Sequence, residues 1–308
     1  IFSIFLIFNL TFVSSAQAAA TFDNINGDGT GFDVSAKTES PSGIAFNNDG
    51  TKMFLSDKND DDIDAYTLST GFDLSTATYV NSVDISDQAS SPAGIAFNND
   101  GTKIFVVNNG IRGGNAKDEV LEYTLSVGFD LTSTVTFVES ASGGNGFSVQ
   151  NKENSPRGIT FNNDGTKMFV VGTGGDEINV YTLSTGFDLT STVSHVVEFD
   201  ISDQETAAMG VAFNNDGTKM FVSGTAGDDV NEYTLSVGFD LTSTVTFVDS
   251  FDISGQDTNP RSLTFNNTGS KMFVVSSVDG EINSYTLFCP FAVTNSSKCE
   301  EPTQDKDV

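Results

Sequence analysis

One nine-residue phrase occurs five times along this chain. "FNNDGTKMF" occupies residues 46–54, 161–169 and 213–221, and close variants occupy 97–105 and 265–273. In each copy an apolar run leads into a turn sequence that ends in glycine, and a second apolar run follows. Asp-Gly favours a tight hairpin turn, because the turn needs positive φ angles that glycine adopts freely. The phrase therefore predicts two antiparallel strands joined by a hairpin.

Each copy of the phrase belongs to a longer repeat. The repeats start at Gly43, Gly94, Gly158, Gly210 and Ser262, in steps of 51, 64, 52 and 52 residues. Every repeat offers short runs rich in Val, Ile, Phe, Tyr and Thr, bounded by Asn, Asp and Gly, which is typical of strands. Four antiparallel strands in about 50 residues describe one blade of a β-propeller. We therefore predict an all-β, five-bladed propeller with blades at about 43–86, 94–150, 158–202, 210–254 and 262–287.

The last repeat lacks its fourth strand, and the start of the chain offers a replacement. The segment 32–43, "FDVSAKTESPSG", aligns with 251–262, "FDISGQDTNPRS", which begins in the end of the fourth repeat's outer strand. We expect the strand at 32–38 to complete the last blade and so to close the ring between the first and last blades.

The phrase also carries a family resemblance. "FNNDGTKMFVV" (161–171) resembles the repeated phrase of bacterial propellers of the YVTN and quinoprotein-like superfamily, and the resemblance extends over about residues 32–288. It implies the propeller fold of a secreted repeat protein. It implies no single activity, because enzymes, adhesins and binding scaffolds share such repeats.

The two ends of the chain indicate export. An apolar run at 1–13 followed by Ala16-x-Ala18 predicts a signal peptide over residues 1–18. We expect a periplasmic, surface-bound or secreted protein, with no membrane span in the propeller at 19–288. In an oxidising compartment Cys289 and Cys299 would form a disulfide in the tail at 289–308.

The charge of the chain excludes one class of partner. It has 14 basic and 42 acidic residues and a formal net charge of −28. Phosphate backbones repel such a chain, so nucleic acid is excluded as a partner. We expect a monomer that contacts a protein or a glycan.

The scarce arginines suggest a ligand site. The chain has only Arg112, Arg157 and Arg261, all in segments that the repeat places on one face of the propeller. Arg157 and Arg261 occupy equivalent positions just before the first strand of their blades, where loops converge on the axis. Guanidinium groups suit carboxylate, sulfate and phosphate, so we predict an anionic ligand or glycan here. The alternative is that the arginines pair with Glu153 or Asp257.

Acidic residues on the same face suggest a cation. The densest stretch is "SDKNDDDIDAY" (56–66), in which Asp57, Asn59 and Asp61 are candidate calcium ligands. A second stretch, "NINGDG" (24–29), begins like a calcium loop but has Ser35 where an acid is expected. The alternative is that these are solvated acidic loops.

These observations leave two functional readings. The main one is an exported binding or interaction scaffold, with enzyme activity left open. The alternative is a calcium-dependent hydrolase of the lactonase or glycosidase type. The predicted inner strands contain no acid, and the single histidine, His195, falls in an outer-strand run, so a Ser-His-Asp hydrolase is not expected.

Overall fold

The computed structural model describes residues 20–23, 25, 30–112, 115–140, 146–277 and 279–293. The predicted signal peptide, all of the "NINGDG" segment except Ile25, and Cys299 lie outside these residues. The disulfide therefore stays a prediction, although Cys289 itself is buried. Among the described residues, no helix has the length and apolar character needed to cross a membrane.

The described residues form five antiparallel sheets, each with four strand positions. Two short strands precede the first sheet: β1 (Ala20–Phe22) and β2 (Phe32–Asp33). The first blade contains β3 (Pro41–Phe46), β4 (Lys52–Asp57), β5 (Asp62–Leu68), a 3₁₀ turn (Leu74–Thr76) and β6 (Ala77–Asp84). The second contains β7 (Pro92–Phe97), β8 (Lys103–Arg112), β9 (Asn115–Leu125), β10 (Val135–Val138) and β11 (Phe147–Ser148).

The remaining blades repeat this order. The third contains β12 (Pro156–Phe161), β13 (Lys167–Gly172), β14 (Glu177–Leu183) and β15 (Val193–Asp200). The fourth contains β16 (Ala208–Phe213), β17 (Lys219–Gly224), β18 (Asp229–Leu235) and β19 (Val245–Asp252). The fifth contains β20 (Pro260–Phe265), β21 (Lys271–Ser276) and β22 (Glu281–Leu287). The prediction of a five-bladed propeller is confirmed.

Two N-terminal strands supply the outer edge of the fifth blade. Phe32 pairs with Ile282, and Ala20 pairs with Leu287, both antiparallel to β22. The predicted closure of the ring is thus confirmed at Phe32, but the strand ends at Asp33 and a turn follows. The strand β1 adds a second segment that the sequence analysis did not find.

Phenylalanines join each blade to the next. The five phenylalanines of the second strands are fully buried: Phe54, Phe105, Phe169, Phe221 and Phe273. Each ring contacts a first-strand phenylalanine of the following blade, with centroids 4.6 to 4.8 Å apart. Contact between Phe273 and Phe46 joins the fifth blade to the first, so the apolar core is continuous around the ring.

The asparagines of the hairpin turns form a second ring. Asn48 donates from its side chain to the carbonyl of Asn99 at 2.8 Å, and Asn99 donates in the same way to Asn163. Asn163 donates to Asn215, Asn215 to Asn267, and Asn267 to Asn48. The repeated asparagine therefore links neighbouring blades as well as shaping its own turn.

Candidate functional site at the channel mouth

An irregularity in the first strand of each blade places one side chain at the propeller axis. The pairing of β12 with β13 skips from Pro156 to Gly158, and that of β20 with β21 skips from Pro260 to Ser262. Such bulges re-aim a side chain out of the sheet. The skipped residues are Arg157 and Arg261, and the bulge explains why both reach the axis.

A small cavity lies where these residues meet. Its volume is about 50 Å³, and it is lined by Ser40, Ser42, Lys58, Ala93, Arg157, Met209, Arg261 and Ser277. Five of these residues occupy the equivalent position in the five blades, which places the cavity on the axis. We call it the channel-mouth site.

Arg157 is positioned by the second and third blades. Its Nη2 donates to Ser155 Oγ at 3.3 Å. With the Asn109 amide oriented to satisfy its neighbours, Oδ1 accepts from Arg157 at 3.1 and 3.2 Å, and Nδ2 donates to Asp118 at 3.2 Å. Asn109 and Asp118 lie on β8 and β9, the strands that the longer second repeat extends. The buried Arg157 Nε has no partner among the described residues.

Arg261 is held by residues of its own blade and the preceding one. Its Nε donates to Ser277 Oγ at 2.8 Å, and Nη1 lies 3.7 Å from Met209 Sδ. Both partners are neutral, a hydroxyl and a thioether. The positive charge of the guanidinium is therefore not balanced by a hydrogen-bonded carboxylate.

The predicted alternative, pairing with acids, does not describe these arginines. Among the described residues neither arginine has a carboxylate within 4.0 Å. Glu153 instead accepts from the backbone N–H groups of Ser155 at 2.7 Å and Gly174 at 2.9 Å. Asp257 accepts from the N–H of Asn259 at 2.8 Å. These two acids tie loops together.

Lys58 is the third cation of the channel-mouth site, and the sequence analysis missed it. It follows β4 in a loop on the same face as the arginines. Lys58 is exposed as a residue, but partial desolvation of its amine, followed by the charges of Arg157 and Arg261, lowers its pKa below the ordinary value. Burial and the charge of Arg261 likewise lower the pKa of Arg157. Since no carboxylate lines the cavity, the site attracts an anion or the electron-rich oxygen of a neutral group.

Asp57, Asn59 and Asp61 are not among the residues that line this cavity. Arg112 ends β8, and its side chain is outside the described part of the structure, so its role stays a prediction. The Asp57 carboxylate accepts from the N–H groups of Glu39, Ser40 and Asn59 at 2.6, 3.2 and 2.8 Å.

The structure groups the acids of this stretch differently from the predicted Asp57, Asn59 and Asp61. Asp61 sits in a turn with φ of 54°. One oxygen each of Asp57, Asp62 and Asp64 lies within 4.8 Å of the others. Along the sequence, the turn that contains Asp61 lies between Asp57 and Asp62. The pairing of β4 with β5 then brings Asp57, Asp62 and Asp64 together.

A second cavity and the single histidine are weaker candidates for a functional site. The opposite end of the axis has a larger cavity, about 230 Å³, but no charged residue lines it. His195 lies on the outer strand β15, where Nε2 is 3.2 Å from Asn179 Oδ1. His195 is not among the residues that line the channel-mouth site.

Comparison with known proteins places the chain in a family. The sequence model of a family described as "Lactonase, 7-bladed beta-propeller" matches residues 117–288, more than half of the chain. The chain belongs to the lactonase family. Its described residues form five blades, whereas the family description states seven, so this lactonase-family member has a smaller ring. The family match shows that our main prediction of a binding scaffold is wrong, because it favours the alternative, a hydrolase of the lactonase type.

One of the solved structures to which the chain is similar supports the fold, and two others are similar at lower TM-scores. A luciferin-regenerating enzyme superposes with a TM-score of 0.51 and 11% identity, over 86% of this chain and 94% of that one. The periplasmic gluconolactonase of Pseudomonas aeruginosa gives 0.48 and 13%, over 80% and 66%. A functionally unknown protein from Desulfotomaculum acetoxidans gives 0.44 and 12%, over 77% and 62%. The chain thus spans under two thirds of the last two proteins. No curated protein matches it significantly.

Proposed function

We propose that this protein hydrolyses lactones at the channel-mouth site. The observation that supports the proposal most strongly is the family match. The cluster of Lys58, Arg157 and Arg261 supports the channel-mouth site as the proposed place of the reaction. We also propose that the protein is exported and monomeric. Within the propeller proteins, we propose that it is related to the YVTN and quinoprotein-like superfamily.

The reaction requires a polarised carbonyl and a proton acceptor. Water adds to the carbonyl carbon of the cyclic ester, and the ring C–O bond then breaks. The ring oxygen takes a proton, so the product is a hydroxy acid, which ionises and releases one proton. Negative charge grows on the carbonyl oxygen as water adds, and prepositioned cations stabilise that charge. Arg157 and Arg261 serve this role because Asn109, Ser155 and Ser277 fix their orientation.

Lys58 is the best candidate for the proton acceptor. It is the one residue lining the cavity with an amine that can lose its proton, because an arginine stays charged. Its lowered pKa makes the neutral amine more abundant, which a general base requires. The neutral amine would take a proton from the attacking water and return it to the ring oxygen.

The size and charge of the site also indicate the substrate class. A cavity of about 50 Å³ has room for a group of a few atoms, not for a sugar ring. The carbonyl or an acidic substituent would therefore enter the cavity, and the rest of the lactone would lie on the loop face. Three cations favour a lactone that carries a phosphate or carboxylate group.

Acid release from lactones at constant pH tests the proposal. We expect faster opening of a phosphorylated aldonolactone than of its neutral counterpart, after subtraction of spontaneous hydrolysis. Arg261→Met should lower kcat/KM at least about tenfold, with the larger loss on the phosphorylated lactone. Lys152→Met is the matched control, because Lys152 pairs with Glu198 at 2.7 Å on the outside of the blade. Absence of enzyme-dependent opening with every lactone would refute the proposed function.

Two substitutions of Lys58 separate its charge from its basicity. Lys58→Arg keeps the positive charge but removes a group that can deprotonate, so kcat should fall while KM changes little. Lys58→Met should lower kcat and also raise KM for the anionic lactone. If Lys58→Arg retains full kcat, Lys58 acts only through its charge.

A further inference from the structure

The first blade contains three acids that meet beside the closing seam of the ring. Asp57 ends β4 and pairs directly with Asp62, the first residue of β5. Asp64 lies two residues beyond Asp62, and therefore on the same face of the strand. One oxygen from each carboxylate lies within 4.8 Å of the other two, and the side chains of Asp57 and Asp64 are fully buried.

The hydrogen bonds of this group are incomplete. Asp64 Oδ2 accepts from Thr38 Oγ1 at 2.7 Å, but Asp64 Oδ1 is shut off from solvent without a donor. Asp62 Oδ1 is likewise shut off from solvent and accepts no hydrogen bond from the described residues. A buried carboxylate oxygen without a donor or a cation is costly. Among the described residues no lysine or arginine forms an ion pair with any of the three acids.

Three of the other four blades have an asparagine in place of Asp64, and the second blade has a leucine. The residues equivalent to Asp64 are Leu121, Asn179, Asn231 and Asn283. In the fourth blade Asn231 Nδ2 donates to Asp229 Oδ1 at 2.7 Å. In the first blade this donor is replaced by a third carboxylate, which can only accept when it is ionised. Among the described residues, Asp57, Asp62 and Asp64 are the one group of three acids that converge, and no such amide donates to them.

We propose that Asp57, Asp62 and Asp64 bind a divalent cation of the calcium class at the seam between the last and first blades. Hard cations take several carboxylate and hydroxyl oxygens at once, and Thr38 Oγ1 lies beside the group. Thr38, Glu39 and Ser40 connect the closing strand β2 to the first blade, and they bond to Asp64 or Asp57. The cation would therefore stabilise the closed ring, independently of any reaction at the channel-mouth site.

Calcium titration of the metal-depleted full chain tests this proposal. We expect saturable heat in calorimetry and a rise in Tm on adding CaCl₂, relative to NaCl of equal ionic strength. Asp64→Asn gives the first blade the residue of the third, fourth and fifth, and it should weaken calcium affinity at least about tenfold. Asp229→Asn makes the same chemical change in the fourth blade and should leave calcium affinity unchanged.

The outcomes separate cation binding from protonation. If the wild-type protein shows neither heat nor a change in Tm, the acids share protons and the proposal is overturned. Retention of full affinity by Asp64→Asn would also overturn it. Circular dichroism verifies that each variant folds, and Asp62→Asn replaces Asp64→Asn if the latter does not.

Discussion

Asn267 donates a side-chain hydrogen bond to the main-chain carbonyl of Asn48, across the seam between the fifth blade and the first. The same bond, from Asn163 to Asn215, joins the third and fourth blades within the continuous chain. The junction between the fifth and first blades is therefore built like the other junctions, and residues 34–40 cross it between β2 of the fifth blade and β3 of the first.

Removal of single ring asparagines tests this equivalence. Asn267→Ala and Asn163→Ala should each lower the free energy of unfolding by about 1 kcal/mol, the usual contribution of one hydrogen bond. Urea denaturation of both variants provides the comparison. If Asn163→Ala destabilises the protein and Asn267→Ala does not, the first and last blades are not joined by this ring in solution.

A glycine in each hairpin turn faces a strained phenylalanine. Gly165 has φ of +71°, and a Cβ placed there would lie 2.1 Å from the ring of Phe187, which itself has φ of 55°. Gly165→Ala should therefore cost at least about 2 kcal/mol, from backbone strain together with displacement of the ring. Gly255→Ala is the control, because nothing lies within 4 Å of its added Cβ, and its effect should stay within about 0.5 kcal/mol. Equal Tm values for the two variants would contradict this packing.

Asp229 should make stability depend on pH. Burial first, and then the charge of Glu205, raise the pKa of Asp229 from 3.8 to about 6. A raised carboxyl pKa means that the folded state prefers the protonated form, so its stabilising contribution is present at low pH. That contribution is lost as the pH rises from about 4 through about 6. Asp229→Asn removes the penalty and should be more stable than wild type by about 1 to 2 kcal/mol at pH 7.

The control for this experiment is an acid with the opposite shift. Hydrogen bonds from the side chain and backbone of Thr166 lower the pKa of Asp164. Asp164→Asn removes the same charge from this acidic chain, but it should destabilise the protein at pH 7, with the difference shrinking at low pH. Urea denaturation between pH 3.5 and 8 measures both variants. If Asp229→Asn and Asp164→Asn have the same effect, only net charge matters.

The predicted disulfide has a chemical test. Under native conditions without reductant, Cys289 and Cys299 should both resist alkylation, and reduction of the unfolded chain should expose both. Substitution of Cys299 by Ser should lower stability by at most roughly 2–3 kcal/mol, since the bridge closes a short loop. Alkylation of either cysteine in the unreduced, unfolded chain would show that the bridge does not form.

Most of the fold could be predicted from the sequence because the residues of each hairpin turn favour one local backbone conformation. The Asp-Gly turns and the runs that flank them define strands locally, and the alignment of Phe32 with Phe251 identified the closing strand. The strand β1 was missed because three residues are too few to show an alternating pattern.

The site was predicted only where one residue type was rare. Arg157 and Arg261 were identified because the chain has only three arginines, and two of them occupy equivalent positions in the repeat. Lys58 was not identified because lysines are more numerous and nothing in the sequence distinguishes this one. The acid cluster depends on the pairing of Asp57 with Asp62 across β4 and β5, which composition does not reveal.

The position of the closing strand determines when the fifth blade can form during translation. Phe32 leaves the ribosome early, yet its partner Ile282 lies about 250 residues later in the chain. The fifth blade can be completed only after almost the whole polypeptide has emerged, and contacts between such distant segments form slowly. A product cut short before β22 would keep four repeats but expose an unsatisfied edge, which would mark it for aggregation or degradation.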